Sequence, residues 1–368
     1  RTSRRPLRIV GAGLKPALTT RLTAALFSML IASCASRDLV LPEERSYLSN
    51  LRQLTFGGEN AEGYFSSDEK RFVYQRTHTG KEGCDQIYMY DLASGTEKRI
   101  STGYGRTTCS YFLPGDSLVL FASTHLADST CPPPPDFSQG YTWALYPGYD
   151  IFVADTNGKL RGRLTNSPGY DAEATVSPVG DRIVFTSTRT GDIELFSMKI
   201  DGSDLRQLTN IPGYDGGAFY SWDGRKLIFR ASRPEGAELT KYRSLLAQNL
   251  VRPSRMELYV MNADGSGMRQ VTNNGAANFG PFWHPDNLHI IFASNVADPQ
   301  GRNFDLYMIR EDGTDMRRIT FNDTFDGFPM FTRDGRHLIF ASNRHSAKPG
   351  ETNLFICDFH YPAAGENY

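Results

Sequence analysis

The sequence predicts an all-β fold, a six-bladed β-propeller in which each blade has four strands. An apolar residue followed by Thr or Ser recurs six times, and two further strand patterns recur in every interval. Gly (34) and Pro (20) are spread along the 368 residues, which favours many turns and short strands. The recurring hydroxyl residues are Thr55, Ser101, Thr165, Thr209, Thr272 and Thr320. Their spacings are 46, 64, 44, 63 and 48, and the two long intervals contain insertions, so the underlying period is about 45 residues, the length of one blade.

The other two patterns describe the second and third strands of each blade. The second strand reads Arg182–Phe185 in one copy and His337–Phe340 in another, and the third pairs an aliphatic with an aromatic residue, as in Leu195-Phe196. These strands are apolar on both faces, as expected for sheets packed between neighbouring blades. An Asp-Gly turn such as Asp223-Gly224 precedes the second strand and indicates a hairpin.

The two ends of the repeat region predict how the ring closes. The last copy, residues 325–360, lacks a fourth strand, whereas residues 51–55 form a fourth-strand pattern before the first copy. Pairing that early strand with the last blade closes the ring and leaves no exposed strand edge. We therefore expect the propeller to span residues 50–360, followed by a tail at 361–368.

Two stretches carry a family resemblance. Residues 177–185 (SPVGDRIVF) and 258–266 (LYVMNADGS) resemble the TolB-type, WD-repeat-like propeller repeat, and the likeness extends over roughly residues 50–360. The resemblance implies kinship with the periplasmic propeller of the Tol-Pal system and with the propellers of prolyl-oligopeptidase-type peptidases. In contrast to TolB we expect no separate amino-terminal domain, and in contrast to the peptidases we expect no hydrolase domain, since eight residues follow His360 in this sequence.

The amino end reads as a targeting segment. Residues 1–33 contain six basic residues and no acidic one, and a short apolar run from Leu22 to Ala32 precedes Cys34. This order predicts a signal peptide over 1–33, and the small residues before Cys34 resemble a bacterial lipobox, which implies lipidation of Cys34. An ordinary signal peptide with a chance cysteine is the alternative. We expect a periplasmic protein anchored by its lipid to the outer membrane, with a linker at 34–49. The chain begins with Arg, which leaves the translation start open.

The net charge and the positions of the cysteines limit the classes of partner and the cellular compartment that we expect. The chain has a formal charge of −1, and −7 once residues 1–33 are removed, which argues against a nucleic-acid partner. We expect a monomer that meets the membrane only through its anchor. A disulfide among Cys84, Cys109 and Cys131 is compatible with export, with its pairing left open, while Cys357 lies in an apolar strand pattern and is expected to be a buried thiol.

Two insertions account for the long intervals. Residues 126–148 contain four consecutive prolines and then Tyr141, Trp143 and Tyr146, whereas residues 234–253 show the helical spacing of Leu239, Tyr242, Leu246 and Leu250. Both join the second and third strands of their blades, so both emerge on the face where the blades connect. They predict a partial lid or a docking surface at the tunnel mouth, with packing on the rim as the alternative.

Aligning the six copies predicts a ligand-binding column at the tunnel mouth. One polar residue precedes each innermost strand, and charged or aromatic residues lie close by. The candidate residues are Asn60, Glu62, Arg106, Thr107, Tyr170, Asp171, Glu173, Tyr214, Asp215, Asn278 and Asp326. Converging oxygens could hold a Ca²⁺ ion, with Asp171, Asp215 and Asp326 as its ligands, or a cationic segment of a partner. Alternatively, such Asp and Asn residues close turns by bonding backbone amides.

No hydrolase, zinc or phosphate-loop motif is present, although propeller lyases use scattered tunnel residues. The sequence therefore predicts a non-catalytic scaffold that binds an envelope protein or peptide through the insertion-bearing face and needs no cofactor. The alternative is a tunnel-centred, metal-assisted hydrolase or lyase acting on a polysaccharide.

Overall fold

The computed structural model describes residues 38–77, 83–138 and 140–361, and within them the chain forms six four-stranded antiparallel sheets. A 3₁₀ turn (Pro42–Glu44) and β1 (Leu48–Gln53) come first. Blade 1 contains β2 (Glu59–Phe65), β3 (Arg71–Thr77), β4 (Gln86–Asp91) and β5 (Glu97–Arg99). Blade 2 contains β6 (Thr107–Phe112), β7 (Leu118–Ser123), β9 (Asp150–Asp155) and β10 (Leu160–Arg163), with β8 (Trp143–Ala144) in its insertion. Blade 3 contains β11 (Asp171–Val176), β12 (Arg182–Ser187), β13 (Glu194–Lys199) and β14 (Arg206–Gln207).

Blade 4 contains β15 (Asp215–Tyr220), β16 (Lys226–Ala231), β18 (Glu257–Asn262) and β19 (Arg269–Gln270), with α1 (Gly236–Leu246) and β17 (Leu250–Val251) in its insertion. Blade 5 contains β20 (Asn278–Trp283), β21 (His289–Ser294), β22 (Asp305–Arg310) and β23 (Arg317–Arg318). Blade 6 contains β24 (Asp326–Phe331), β25 (His337–Ser342) and β26 (Asn353–Phe359), and β1 is its fourth strand. The predicted six-bladed propeller is confirmed.

Ring closure follows the predicted pairing. Strand β1 runs antiparallel to β26, with Leu48 opposite Phe359 and Gln53 opposite Phe355. The backbone N–H of Leu54 donates to the carbonyl of Leu354 at 2.8 Å. The first described strand therefore completes the last blade, and neither strand leaves an unpaired edge at this seam.

The recurring hydroxyl residue has a structural role in every blade. Its oxygen accepts the backbone N–H that begins the third strand, at 2.8 to 2.9 Å in all six copies. The donors are the N–H groups of Ile87, Ile151, Leu195, Leu258, Leu306 and Leu354. A buried N–H without a partner is costly, so this bond explains why the repeat has Thr or Ser at that position.

Aromatic pairs fill the blades. In each blade an aromatic residue of the second strand packs on one of the third strand, with ring centroids 5.9 to 6.3 Å apart. The pairs are Tyr74–Tyr88, Phe121–Phe152, Phe185–Phe196, Phe229–Tyr259, Phe292–Tyr307 and Phe340–Phe355. The second-strand rings are completely buried, as the two-sided apolar pattern predicts.

The segment before β1 packs against blade 6. Glu44 is fully buried, and its carboxylate accepts two hydrogen bonds from Arg344 at 3.0 and 3.1 Å. The described part of the predicted 34–49 linker therefore contacts the propeller, while residues 34–37 and the predicted signal peptide lie outside the described residues.

The insertions lie where predicted, between β7 and β9 and between β16 and β18. The predicted helix is present, although it ends at Leu246, and Leu250 belongs to β17 instead. Within the part of the chain that the structure describes, no helix has the length and apolar character to cross a membrane.

Candidate functional site

A cavity of about 1180 Å³ lies where the innermost strands of all six blades converge. Its walls come from those strands, and residues of both insertions line it as well. We call the two insertions together, residues 126–148 and 234–253, the lid.

A β-bulge interrupts each innermost strand and turns one side chain toward the cavity. The register of the innermost strand shifts at this point in all six blades, and the residue there has a positive φ between 48° and 61°. In blade order these residues are Glu62, Cys109, Glu173, Gly217, Gly280 and Phe328, and all six line the cavity. Positive φ is uncommon outside glycine, and bulges often re-aim side chains next to functional sites. The ring is asymmetric because blades 1–3 contribute polar side chains and blades 4–6 contribute two glycines and a phenylalanine.

Glu173 is the centre of a hydrogen-bonded network in the polar half of the ring. Thr186 donates to its carboxylate at 2.7 Å and the Tyr214 hydroxyl donates at 3.0 Å. Arg230 forms an ion pair with the same carboxylate and donates to the Tyr214 oxygen at 2.8 Å. Three donors therefore converge on the carboxylate of Glu173.

Glu62 has a different environment. Burial raises the pKa of Glu62 to about 7, and the negative charge of Glu173 adds to this, while a hydrogen bond with the Cys109 thiol opposes it. Burial also raises the pKa of Cys109 well above its ordinary value, so this cavity-lining thiol is protonated at neutral pH.

Arg230 reaches the cavity because blade 4 has glycine at the bulge. A Cβ on Gly217 would lie 2.1 Å from Nη1 of Arg230, so no other residue leaves room for this guanidinium. The guanidinium carbon lies 5.2 Å from the ring of Trp143, 5.4 Å from Tyr214 and 5.9 Å from Phe279. Arg230 is only 7% exposed, and its charge is stabilised by Glu173 and by these three rings.

The lid is a single connected structure. Strands β8 and β17 pair antiparallel, with Ala144 opposite Leu250 and Trp143 opposite Val251. A disulfide joins Cys131 in the first insertion to Cys84, just before β4 of blade 1, which confirms the expected bridge and resolves its pairing. The lid is therefore fastened to blade 1 by this bond and to blades 2 and 4 by the chain itself.

Four aromatic side chains of the lid line the cavity, and two of them, Phe137 and Tyr141, are also about half exposed to solvent. The indole of Trp143 packs 5.3 Å from the Phe279 ring, and Tyr146 lines the cavity and donates its hydroxyl proton to the Pro133 carbonyl at 2.8 Å. Phe137 and Tyr141 stack with their centroids 5.7 Å apart and remain 48% and 47% exposed. The lid thus contributes to the cavity wall and to the outer surface.

The predicted site residues fall into two groups. Those that line the cavity are Glu62, Arg106, Tyr170, Glu173, Tyr214, Tyr141, Trp143 and Tyr146. Those buried within the ring, at most 1% exposed, are Asn60, Thr107, Asp171, Asp215, Asn278 and Asp326. The second group is the aligned polar column, and its side chains do not belong to the cavity wall.

The polar column connects neighbouring blades. Asn60 of blade 1 donates to Asn353 of blade 6 at 3.2 Å, and Asn278 of blade 5 donates to Glu257 of blade 4 at 3.3 Å. Thr107 of blade 2 likewise bonds to Gln86 of blade 1 at 3.2 Å. These residues therefore satisfy buried polar groups between blades, and Asn60 also donates to the Gly57 carbonyl at 3.0 Å in the turn before its own strand.

Each aspartate of the column has an arginine partner. Asp171 pairs with Arg189 at 2.9 Å, Asp215 with Arg233 at 2.6 Å and Asp326 with Arg344 at 2.7 Å. Burial raises the pKa of Asp215 to about 7, which the Arg233 guanidinium opposes. Among the described residues there is no group of three or more His, Cys, Asp or Glu side chains that could hold a metal ion. Ca²⁺ binding in the tunnel stays an untested prediction.

Three buried polar atoms on residues of the cavity wall lack a hydrogen-bond partner among the described residues. They are Oγ1 of Thr142, Nε of Arg230 and Nε of Arg106, which lies 3.4 Å from a carboxylate oxygen of Asp85. Sequence reasoning did not select Thr142, Arg230 or Cys109. Aligning the copies two positions further would have placed Cys109 beside Glu62 and Glu173, whereas Arg230 required knowledge of packing.

Comparison with known proteins identifies the type of repeat. Residues 234–346 match the family model of the TolB beta propeller domain, PD40. Over these residues the chain is similar to the TolB propeller, and as a whole it has the fold of a six-bladed β-propeller. Its fold is similar to that of a putative TolB from Agrobacterium tumefaciens, with a TM-score of 0.55 and 18% identity over 83% of this chain and 91% of that one. It is also similar to TolB from Acinetobacter baumannii, with a TM-score of 0.50 and 20% identity over 70% and 53% of the two chains.

A similar fold also occurs in an enzyme. A puromycin-hydrolyzing peptidase of Mycobacterium tuberculosis aligns with a TM-score of 0.50 and 13% identity, over 79% of this chain and 42% of that one. At these identities the similarity shows the fold alone, because one fold can carry unrelated functions. The resemblance expected from residues 177–185 and 258–266 is confirmed.

Proposed function

We propose that this propeller is a non-catalytic binding module that holds a peptide segment of a protein partner in the cavity beneath the lid. The observation that carries the proposal is the pairing of β8 with β17, which joins two insertions into one structure lining a large cavity. A disulfide and a paired ribbon restrict the lid in the unbound protein, which reduces the entropy lost when a ligand binds.

The chemistry of the cavity wall supports a peptide ligand. Binding sites combine apolar and aromatic surface with a few polar groups that orient the ligand. Here the wall carries aromatic rings from blades 3, 4 and 5 and from the lid, exemplified by Tyr170, Tyr214, Phe279 and Trp143. Carboxylates and guanidinium groups lie between them, so both side chains and main-chain groups of a peptide have partners.

The surface around the lid supports contact with a larger partner. Among the described residues, six large apolar side chains are exposed on segments that emerge on the lid face, namely Phe56, Tyr104, Leu126, Phe137, Tyr141 and Ile211. Exposed apolar residues gathered on one face are typical of protein interaction sites. We infer that a folded partner covers this face while one of its segments enters the cavity.

The cellular setting is part of the proposal and rests on the amino end alone. We infer export to the periplasm, removal of residues 1–33 and lipidation of Cys34, with anchoring to the outer membrane and a monomeric state. Residues 1–37 lie outside the described residues.

One observation favours an enzyme as the second candidate. The pKa of Glu62 near 7 suits a general acid or base, and a second carboxyl group, that of Glu173, occupies the bulge position two blades further round the ring. The tunnel-centred, metal-assisted hydrolase or lyase would then act on a polysaccharide. Release of reducing ends or unsaturated products from a panel of acidic and neutral polysaccharides, abolished by Glu62→Gln, would support this candidate over the binding module.

The binding proposal can be tested with a random peptide display library selected against the purified propeller. We expect the enriched peptides to bind Trp143→Ala at least about tenfold more weakly than the parent protein, because a central aromatic contact contributes about 1.4 kcal/mol or more. Trp222→Ala is the matched control, since Trp222 lies in the turn between β15 and β16 at the other end of the innermost strand. Equal binding of the enriched peptides to Trp143→Ala and the parent protein would contradict the proposal, as would the absence of any enriched peptide.

A further inference from the structure

Five aromatic rings form a continuous strip along one side of the cavity. From the lid through blade 5 to blade 6, neighbouring ring centroids lie 5.3, 5.3, 6.0 and 6.0 Å apart. We call these rings the aromatic strip, and they belong to Trp143, Phe279, Phe304, Phe325 and Phe328. All five line the cavity and are partly exposed. A continuous apolar surface that stays accessible is typical of an interaction site.

The backbone of blades 5 and 6 makes room for the strip. A Cβ on Gly327 would lie 2.5 Å from the Phe325 ring, and a Cβ on Gly280 would lie 3.3 Å from Cα of Phe328. Phe328 itself has a φ of 52°, which is unfavourable for a bulky residue. Two glycines and one unfavourable backbone conformation therefore hold these rings where they line the cavity.

Three exposed arginines line the cavity beside the strip, and we call them the arginine rim. The guanidinium carbon of Arg302, in the loop between β21 and β22, lies 5.0 Å from the Tyr141 ring. Nη1 of Arg252 packs against the lid at Gly140, where a Cβ would lie 2.6 Å from it. The third member is Arg255, which has a φ of 53°. Arg255 and Arg302 form no ion pair with any residue that the structure describes.

The charges of the cavity wall are segregated. The four carboxylates described in the wall belong to blades 1 and 3, and two of them, Asp85 and Glu173, already face arginines. Among the described residues, the wall formed by blades 4, 5 and 6 and by the lid contains no carboxylate. Of the residues outside the described part, 78–82 follow β3 of blade 1, and Gln139 of the lid carries no charge. The arginine rim therefore gives the strip side of the cavity an excess of positive charge.

The carboxylates closest to the rim in the chain do not neutralise it. Glu257 accepts two backbone N–H groups at 2.8 and 3.1 Å, and Glu238 pairs with Lys241 at 2.8 Å. Asp298, in the same loop as Arg302, is exposed and lies outside the wall. An incoming carboxylate would consequently meet guanidinium groups that have charge to spare.

Resting on the proposed function, we propose that the strip and the rim together form a subsite for an acidic segment of the partner. Aromatic or apolar side chains of that segment lie on the strip, and a neighbouring carboxylate contacts the arginine rim. Guanidinium groups bind carboxylates with paired hydrogen bonds, which suits this arrangement. The strip lies on the wall of a cavity beneath the lid, so a segment of polypeptide can reach it and a flat bilayer cannot.

The test measures the binding of four tetrapeptides by isothermal titration calorimetry. They are Ac-Phe-Glu-Phe-Glu-NH₂, its counterpart with glutamine for glutamate, its counterpart with alanine for phenylalanine, and the glutamine peptide with a free carboxyl end. At low ionic strength we expect the first peptide to bind at least about fivefold more tightly than the second and the third. Salt at about 0.5 M should reduce the preference for glutamate to less than about twofold, because it screens exposed charges. Tighter binding of the fourth peptide than of the second would assign the carboxylate to a chain end, and equal binding would assign it to side chains.

Variants locate the two parts of the subsite. Arg255→Gln combined with Arg302→Gln should remove the preference for glutamate while the glutamine peptide binds as it does to the parent. Arg336→Gln is the matched control and should keep the preference, since Arg336 is 82% exposed in the turn between β24 and β25. Phe325→Leu should weaken both phenylalanine peptides several-fold. The exposed arginine variants keep the test decisive if thermal unfolding shows that Phe325→Leu is not folded.

Equal affinity of the glutamate and glutamine peptides for the parent protein would overturn the subsite, and so would an unchanged preference in the arginine double variant. The alanine peptide binding as tightly as the first would overturn the role of the strip. Vesicles of phosphatidylglycerol that bind the parent and not the double variant, with no peptide bound, would overturn the assignment to a polypeptide. If no tetrapeptide binds, the subsite is refuted. Display-selected peptides that require Trp143 but bind the arginine double variant as tightly as the parent would then show that the proposed function stands without it.

Discussion

The ion pair between Glu173 and Arg230 yields a quantitative prediction about the cavity. We expect Arg230→Met to lower the free energy of unfolding by about 3 kcal/mol. Breaking a buried ion pair by removing one partner typically costs 3 to 5 kcal/mol, because the other charge is left uncompensated. Two features place the value at the lower end of that range. Thr186 and Tyr214 still donate to Glu173 at 2.7 and 3.0 Å, and methionine retains packing against the neighbouring rings.

A double-mutant cycle separates this charge effect from lost packing. Glu173→Gln, Arg230→Met and the double variant would be unfolded in urea at pH 7, with far-UV circular dichroism and the fluorescence of the three tryptophans as signals. We expect the double variant to be less destabilised than the sum of the single variants by about 2 kcal/mol. Arg161→Met is the control, since Arg161 is half exposed where it pairs with Asp155, and an exposed pair contributes at most about 1 kcal/mol. The stabilising role of the Glu173–Arg230 ion pair would be refuted if the two single changes in the free energy of unfolding added up to that of the double variant. It would also be refuted if Arg230→Met lowered the free energy of unfolding no more than Arg161→Met.

Three further predictions concern Glu62, the lid and the repeat. The pKa of Glu62 in the folded protein, about 7, exceeds its ordinary value of 4.5, so ionisation of this group makes the folded state less stable as pH rises from about 5 to 7. The free energy of unfolding of Glu62→Gln should therefore equal that of the parent protein at pH 5 and exceed it by up to about 3 kcal/mol at pH 8. Parallel stability curves in urea would contradict this. Cys131→Ser removes a crosslink that spans 47 residues, so stability should fall by up to about 4 kcal/mol, and amide hydrogen exchange should rise in residues 126–148 more than in blade 5. Unchanged amide hydrogen exchange in residues 126–148 would show that the Cys84–Cys131 disulfide does not order the first insertion. Thr209→Val removes the acceptor of the Leu195 N–H and should lower the free energy of unfolding, measured in urea, by about 1 to 3 kcal/mol. An unchanged free energy of unfolding would show that this hydrogen bond does not explain the repeated hydroxyl residue.

The architecture could be predicted because it depends on patterns that repeat locally. A hydroxyl residue such as Thr209 and an aromatic residue such as Phe196 occur at the same place in each copy, and each contacts its own blade. Ring closure could be predicted from the unpaired strand pattern at residues 51–55 together with the incomplete last copy. Both inferences needed only the order of strands along the chain.

The site could be predicted only in part because its contacts join distant segments. Trp143 and Val251 are paired in the lid although about a hundred residues separate them, and no local pattern indicates that pairing. The polar column looked like a ligand site because repetition alone cannot distinguish a residue that faces the axis from one that bridges two blades. The β-bulge determines which residue faces the cavity, because it directs Glu62 and Glu173 toward the cavity and leaves Asp171 between blades.

The most direct measurement is a crystal structure of the propeller in complex with a display-selected peptide. The account predicts peptide density in the cavity beneath Trp143, in contact with the aromatic rings of Tyr170, Tyr214 and Phe279. A peptide bound on the opposite face of the ring, with the cavity and lid unchanged from the unbound protein, would contradict it.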